Sequence, residues 1–429
     1  MQKLFCFLGT GKYEKTVYKN ESFTYETCYT QEFLYQYYKQ IKNKLFDEIV
    51  VFVTDESRRI NGDLFQEIFA DVSVNWVKYD EAFGSEPWMF FELIDEQIAD
   101  GDNIVFDVTH GFRSVPLITL ASSELSLLLK AKANVEAVYY GNYKGRDLPA
   151  EFVDLTNVLE VQEWSQAVRS LKRTGNPGLL IEMDNKQKQL YLDQQKRLGK
   201  KPSNDILKMY ALGNSVEKLT KAIQFCRLHK LESSWTLTEQ SLGKIERTES
   251  KRAYPYIKIK KEIYSIFKEF DHAETEFDYY SAAIQWCVRY EQYQQAITIM
   301  LESVFSTLLS LLNVEIDSRQ NRYALSLMIQ SELSKRNKFT SEKLLNNTKK
   351  ELQKSELNEA DWTIVRGLIT KQIDFFEKTY KTMNDFRNDL NHAGTSKNLM
   401  DPKILESFIK EHSLKVIAFE QNLAEEKRR

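Results

Sequence analysis

Two stretches decide the fold: Glu48-Ile-Val-Val-Phe-Val53 and Asn103-Ile-Val-Phe-Asp-Val108. Each is a nearly unbroken apolar run, the pattern of a strand covered on both faces; a strand with one wet face would alternate. Residues 3–8, 72–79 and 134–141 add three similar runs, and the second of the opening pair extends to 109. The stretches 29–45, 61–70, 86–99 and 114–132 between them have helical periodicity. Strands of this kind alternating with helices predict a parallel sheet wound with right-handed crossovers, a Rossmann-like domain. Ligands of such sheets bind beyond the carboxyl ends of the strands, so the residues just after each strand carry the functional information.

Past residue 156 the strand pattern stops. Residues 158–173 read as a helix, and Thr174-Gly-Asn-Pro-Gly178 is the densest turn signal in the chain. Helical periodicity then dominates, as in 206–228, 279–312 and 361–393, with short breaks such as 253–256. The 15 glycines and 7 prolines are about 5% of the residues against roughly 12% in average usage. So few chain breakers exclude a many-stranded sandwich or propeller. The fold expected is α/β plus all-α: a Rossmann-like α/β domain over 1–157, a helical connector over 158–275 and an all-helical domain over 276–429. A length of 429 residues suits two or three domains.

Composition narrows the class. With 42% hydrophobic and 28% charged residues and a net charge of −3, neither disorder nor membrane spanning fits. The most apolar window, 115–131, is broken by Glu124 and Lys130. The apolar run Leu4 to Leu8 ends at Gly9, too short for a secretory signal. Cys6, Cys28, Cys226 and Cys287 are widely spaced, which predicts buried thiols in a reducing cytoplasm and no zinc knuckle. Charge is uneven along the chain. Residues 1–185 carry 18 basic and 29 acidic side chains, residues 186–261 carry 18 and 7, and residues 262–429 carry 23 and 26. The middle stretch fits a polyanion partner, or equally a lysine-rich solvated face.

Three motifs carry chemistry. After the first strand comes Leu8-Gly-Thr-Gly-Lys-Tyr13, where Gly9, Thr10 and Gly11 let backbone N–H groups approach a phosphate and Lys12 can neutralise it. The third glycine of a dinucleotide fingerprint is missing, which disfavours an NAD-type enzyme and leaves a plain tight turn as the alternative. After the fourth strand comes Asp107-Val-Thr-His-Gly-Phe-Arg113. Thr109, His110, Gly111, Phe112 and Arg113 place a hydroxyl, an imidazole, a bare backbone and a guanidinium where a parallel sheet presents ligands. The structural alternative is a helix-capping threonine beside a packed histidine. The third motif, Arg387-Asn-Asp-Leu-Asn-His392, lies near the end of a long helix. Histidine moves protons near neutral pH and arginine stabilises phosphorane charge. Five residues at about 100° each set Arg387 and His392 about 140° apart, whereas Asn388 and His392 share a face. A working site is therefore easier to assemble between two chains than on one helix, and a packed helix with no site is the alternative.

Together, the Asp-Val-Thr-His-Gly-Phe-Arg and Leu-Gly-Thr-Gly-Lys-Tyr turns and the distal Arg-Asn-x-x-x-His resemble the CRISPR-associated ribonucleases that join an amino-terminal CARF domain to a carboxyl-terminal HEPN domain. The resemblance covers residues 3–18, 83–118 and the Arg387–His392 segment; residues 158–275 match nothing specific. It implies a CARF homodimer, or a higher homo-oligomer, that binds a cyclic oligoadenylate made by a type III CRISPR effector complex. Cyclic tetra-adenylate is the ring expected, with cyclic hexa-adenylate as the alternative. The ligand contacts implied are Gly9, Thr10, Gly11, Lys12 and Thr109 to Arg113. It also implies metal-independent endoribonuclease activity on single-stranded RNA in a composite HEPN cleft, with 2′-hydroxyl attack leaving a 2′,3′-cyclic phosphate. His392 would transfer protons, Arg387 would stabilise phosphorane charge and Asn388 would orient the histidine or the dimer contact. No cofactor is needed, no membrane partner is implied, and the setting is cytoplasmic antiviral defence.

Two rival readings belong to other classes. A ligand-gated transcription regulator would use the basic middle segment on DNA and have no need of Arg387 and His392. A binding-only protein would buffer a nucleotide messenger.

Overall fold

The computed structural model describes residues 1–80, 87–110, 115–145, 148–245, 253–336, 342–391 and 401–428. They form two compact units, Met1–Gln162 and Glu163–Arg429.

The first unit holds a sheet of β1 (Gln2–Phe7), β2 (Thr16–Lys19), β3 (Thr24–Thr27), β4 (Glu48–Val53), β5 (Ser73–Lys78), β6 (Asn103–Asp107), β7 (Asn134–Asn142) and β8 (Ala150–Asp154). Its order is β3-β2-β8-β7-β6-β1-β4-β5. The five strands legible in the sequence run side by side as β7-β6-β1-β4-β5, each parallel to its neighbours. The expectation of a wholly parallel sheet needs correcting, because β8 pairs antiparallel with β7 and β2 antiparallel with β3. These extra strands are four or five residues long and lack the continuous apolar run of doubly covered strands, having alternating burial instead. The turn joining β2 to β3 is held by Asn20, whose side-chain oxygen accepts from the N–H groups of Ser22 (3.0 Å) and Phe23 (2.8 Å).

Both sheet faces are packed, as the apolar runs require. On one face Leu4, Cys6, Ile49, Val51 and Val105 meet Phe33, Leu34 and Phe65 of the helices α1 (Thr30–Tyr37) and α2 (Asp55–Ile68). On the other, Phe5, Phe7, Val50, Phe52, Ile104 and Phe106 meet Phe90 and Ile94 of α3 (Pro87–Asp95), which packs on α4 (Val115–Leu129). The helix predicted from residue 61 starts six residues earlier in the chain. Thr54 caps it reciprocally, accepting from the Ser57 N–H (3.2 Å) while the Ser57 hydroxyl accepts from the Thr54 N–H (2.9 Å).

The second unit is helical among its described residues. The predicted turn at 174–178 contains Gly175 at φ 68°, where a Cβ would stand 2.4 Å from Trp286 Cζ2. Glycine is required there on both counts. The long periodic stretches are broken helices. Residues 206–228 resolve into Asn204–Met209 and Leu212–Gln224, and residues 279–312 into Glu276–Arg289 and Tyr293–Leu311, parted where Glu291 turns to φ 56°. The third becomes Glu359–Lys371, a π-helical turn Phe375–Tyr380 and Lys381–Asn391. One hydrophobic core runs from Trp164 to Leu423. The four cysteines are free thiols, Cys6 and Cys287 buried, Cys28 and Cys226 half-buried. Among the described residues no helix is long and apolar enough to cross a membrane.

Candidate functional site

The strand order reverses between β1 and β6. After β1 and the β2–β3 hairpin at the far edge, the chain lays β4 and β5 on one side of β1, then returns to the other side for β6 and β7. A doubly wound sheet opens a crevice at such a point, beyond the carboxyl ends of the two central strands. Leu8–Lys12 leave β1 there, and Val108–His110 leave β6.

The cradle is built from Asp107, the last residue of β6, which is fully buried. Its carboxylate accepts from the Thr30 hydroxyl (2.6 Å), the Thr109 N–H (3.0 Å) and the Thr109 hydroxyl. Thr109 Oγ1 in turn accepts from the Gly141 N–H (2.8 Å), tying the end of β6 to β7. A Cβ on Gly141 would sit 2.6 Å from Thr30 Cγ2 and 3.2 Å from Tyr18 Cε1, so only glycine fits this knot. His110 stacks on Tyr13 with ring centroids 4.3 Å apart, and Tyr13 meets Tyr29 edge-on. The Tyr13 hydroxyl oxygen accepts from the Gly9 N–H (2.7 Å). Asn61 of α2 donates to the carbonyls of Gly9 (2.9 Å) and Gly11 (3.0 Å), and its own carbonyl accepts from Tyr29.

Burial sets the electrostatics. It pushes the Asp107 carboxyl up, with His110 and the hydroxyl donors pulling back. It pushes the His110 imidazole down, opposed by Asp107. Tyr18 is pushed up to about 12 by burial and remains a neutral donor. His110 Nε2 is buried without a hydrogen-bond partner among the described residues.

An open pocket of about 410 Å³ lies over this cradle, lined by Lys12, Tyr13, Thr109, His110, Tyr140 and Tyr143 among others. Of the ligand contacts expected from the sequence, Lys12, Thr109 and His110 line it. Gly9, Thr10 and Gly11 stand in the adjoining turn and are not lining residues. Gly111, Phe112 and Arg113 lie outside the described residues. The sequence did not single out Asn61, Tyr140, Gly141 or Tyr143, and Tyr13 stood in the first-strand motif without being named a ligand contact. The strand-end rule applied to β7 points directly at Gly141 and Tyr143. Asn61 carries a subtler signal, a polar residue at a buried helical position.

In the second unit Arg387 and Asn388 occupy the helix Lys381–Asn391, anchored by buried Met383 and by Phe386, which packs edge-on against Phe408 at 4.8 Å. Asn388 is exposed. The half-buried Arg387 has its Nε enclosed without a hydrogen-bond partner among the described residues. It lies beside Tyr380, whose phenol is pushed up by burial and drawn back by this guanidinium. His392 lies outside the described residues. A nearby histidine that the sequence reading passed over, His412, is buried, stacks on Phe408 at 4.1 Å and shares a 2.8 Å hydrogen bond with the Thr379 hydroxyl. Its contacts are those of a packed core residue. Among the described residues no group of three or more histidine, cysteine and acidic side chains is placed to hold a metal ion.

The fold and pocket thus define an α/β unit with a polar crevice at its topological switch point, followed by an all-helical unit. The chain is similar to the CRISPR-associated protein MJ1674 of Methanocaldococcus jannaschii, 23% identical over 228 residues, 53% of this chain and 32% of that protein. It spans about a third of the length of this curated relative. No protein-family model matches the chain.

Proposed function

We propose that this protein is a CRISPR-linked endoribonuclease gated by a cyclic oligoadenylate. The observation that carries the reading is the crevice at the end of β6, where Thr109, His110 and Lys12 line an open pocket held by the buried Asp107 knot. Its chemistry suits an anionic, base-bearing ligand. Lys12 offers charge to a phosphate, Thr109 and the tyrosine hydroxyls offer hydrogen bonds, and Tyr140 and Tyr143 offer ring faces for adenines. Gly11 leaves open space where a Cβ would stand, compatible with close approach of a ligand. The similarity to a CRISPR-associated protein favours the same reading.

A symmetric ring ligand calls for two such pockets. Leu125, Leu128 and Leu129 lie exposed on one face of α4, with Leu128 73% exposed, an apolar surface of the kind a second copy covers. In the helical unit the unsatisfied Arg387 Nε supports a role in stabilising phosphorane charge, with His392 moving protons and Asn388 orienting the site. Cleavage by 2′-hydroxyl attack needs no metal. Calorimetric titration of cyclic tetra-adenylate and cyclic hexa-adenylate into the full-length protein tests the sensor half. One of the two should bind at one ring per two chains, and binding should weaken in His110→Ala. Absence of binding by both rings would remove the sensor reading.

A further inference from the structure

The basic middle stretch has a structural centre that its net charge does not reveal. The helix Tyr254–Ile266 begins with Tyr254, 63% exposed, and carries Lys258, Lys260 and Lys261. Helical spacing puts Tyr254, Ile257, Lys258 and Lys261 within about 100° of arc and about 10 Å of length. All four are exposed. The Lys258 ammonium stands 5.1 Å from the Tyr254 ring centroid, and most of the tyrosine is still open to solvent with that lysine in place. The single carboxylate of this helix, Glu262, is held by Lys172 at 2.6 Å. Among the described residues neither Lys258 nor Lys261 has an ion-pair partner.

A lysine beside a tyrosine is ordinary on a solvated helix. Such faces, however, usually interleave acidic residues with the lysines, and here residues 186–261 carry 18 basic against 7 acidic side chains. An open aromatic ring flanked by uncompensated ammonium groups is what single-stranded nucleic acid requires: a π-face for a base and cations for the phosphates on either side. We infer that Tyr254, with Lys258 and Lys261, is a stacking platform for single-stranded RNA, a binding surface separate from Arg387. Ile257 widens the apolar contact beneath the base. The inference rests on the reading of the chain as an RNA-cleaving protein, and names where substrate is held.

The test is fluorescence anisotropy of a labelled oligouridylate with full-length His392→Ala protein and no activator, so that binding is read without cleavage. Tyr254→Ala should weaken binding about tenfold, the scale of one lost base stack. Tyr254→Phe, which keeps the ring, should bind as the parent does. Lys258→Gln with Lys261→Gln should flatten the dependence of log affinity on log salt by about 0.7 for each phosphate no longer neutralised. Ultraviolet crosslinking should mark the peptide containing Tyr254. Unchanged affinity in Tyr254→Ala, or duplex DNA binding as tightly as the single strand, would overturn the platform. The two readings fail separately. RNA held through Tyr254 by a protein that cuts nothing with any activator leaves the platform standing and removes the ribonuclease. Ligand-dependent cleavage with the same KM in Tyr254→Ala does the reverse.

Discussion

Around Asp107, at the end of β6, the polar atoms are paired against one another, with the neighbouring His110 Nε2 left open, whereas on the helix Lys381–Asn391 a guanidinium Nε is left over. Asp107 receives three donors and Thr109 passes the network on to Gly141. Arg387 keeps a buried Nε with no partner among the described residues. A satisfied buried network fixes geometry, as a recognition site requires, because each group in it has one low-energy position. A buried guanidinium Nε without a partner is costly and gains when an acceptor such as a phosphate arrives, which suits the proposed role in stabilising charge. Under the proposed function, the difference is that between a ligand site preformed within one chain and a catalytic site whose partners come from substrate or from a second chain.

Exchange at Arg387 should cost the most activity. Exchange of Arg387 or His392 for alanine should reduce ligand-stimulated RNA cleavage by about 10²–10⁴, with cyclic oligoadenylate affinity kept within a few-fold. Full activity in the double exchange would move the chemistry elsewhere. Next in size is Gly141→Ala. Its new methyl would lie 2.6 Å from Thr30 Cγ2 and should cost about 1–3 kcal/mol of stability. Thermal melting and ligand titration should therefore fall together. His110→Ala and Arg113→Ala test the proposed ligand crevice. Both should raise the ligand concentration needed for half-activation and leave the saturated rate unchanged, since a gating ligand acts through its differential affinity for two states.

The sheet was legible where burial is two-sided. The runs at β1, β4 and β6 are apolar because Phe5, Val50 and Phe106 face one layer while Leu4, Val51 and Val105 face the other. The edge strands β2, β3 and β8 were not, because short alternating segments look like loop until a neighbour is known. The same limit hid half of the pocket. Thr109 and His110 could be named from their place after a strand. Asn61 could not, since its value depends on the carbonyls of Gly9 and Gly11, which meet it only in the folded chain. Arg387 was named from its motif, but its unsatisfied Nε depends on packing that no spacing rule encodes.

A pH-dependent effect is expected in the helical unit alone. Glu420 is buried, bonded by the Ser303 hydroxyl and pushed up to about 8 by burial; Asp184 is pushed up to about 7. Such acids keep their protons in the folded state at a pH where the unfolded chain has lost them. They therefore reduce stability progressively as pH rises from the ordinary carboxylate range through the folded values. Melting temperature should fall between about pH 5 and 8, and Glu420→Gln should flatten that fall. A profile unchanged by the exchange would mean that Glu420 is ionised in the fold.

In the proposed function, occupancy of the crevice beside His110 switches on RNA cleavage at Arg387 and His392. Its most direct test is cleavage of a labelled single-stranded RNA by the full-length protein, with and without each cyclic oligoadenylate, in excess EDTA. Negligible cleavage without ligand, strong cleavage with one ring size, 2′,3′-cyclic phosphate ends and no inhibition by the chelator are expected. Cleavage indifferent to every ring, or abolished by EDTA and restored by magnesium, would contradict that function.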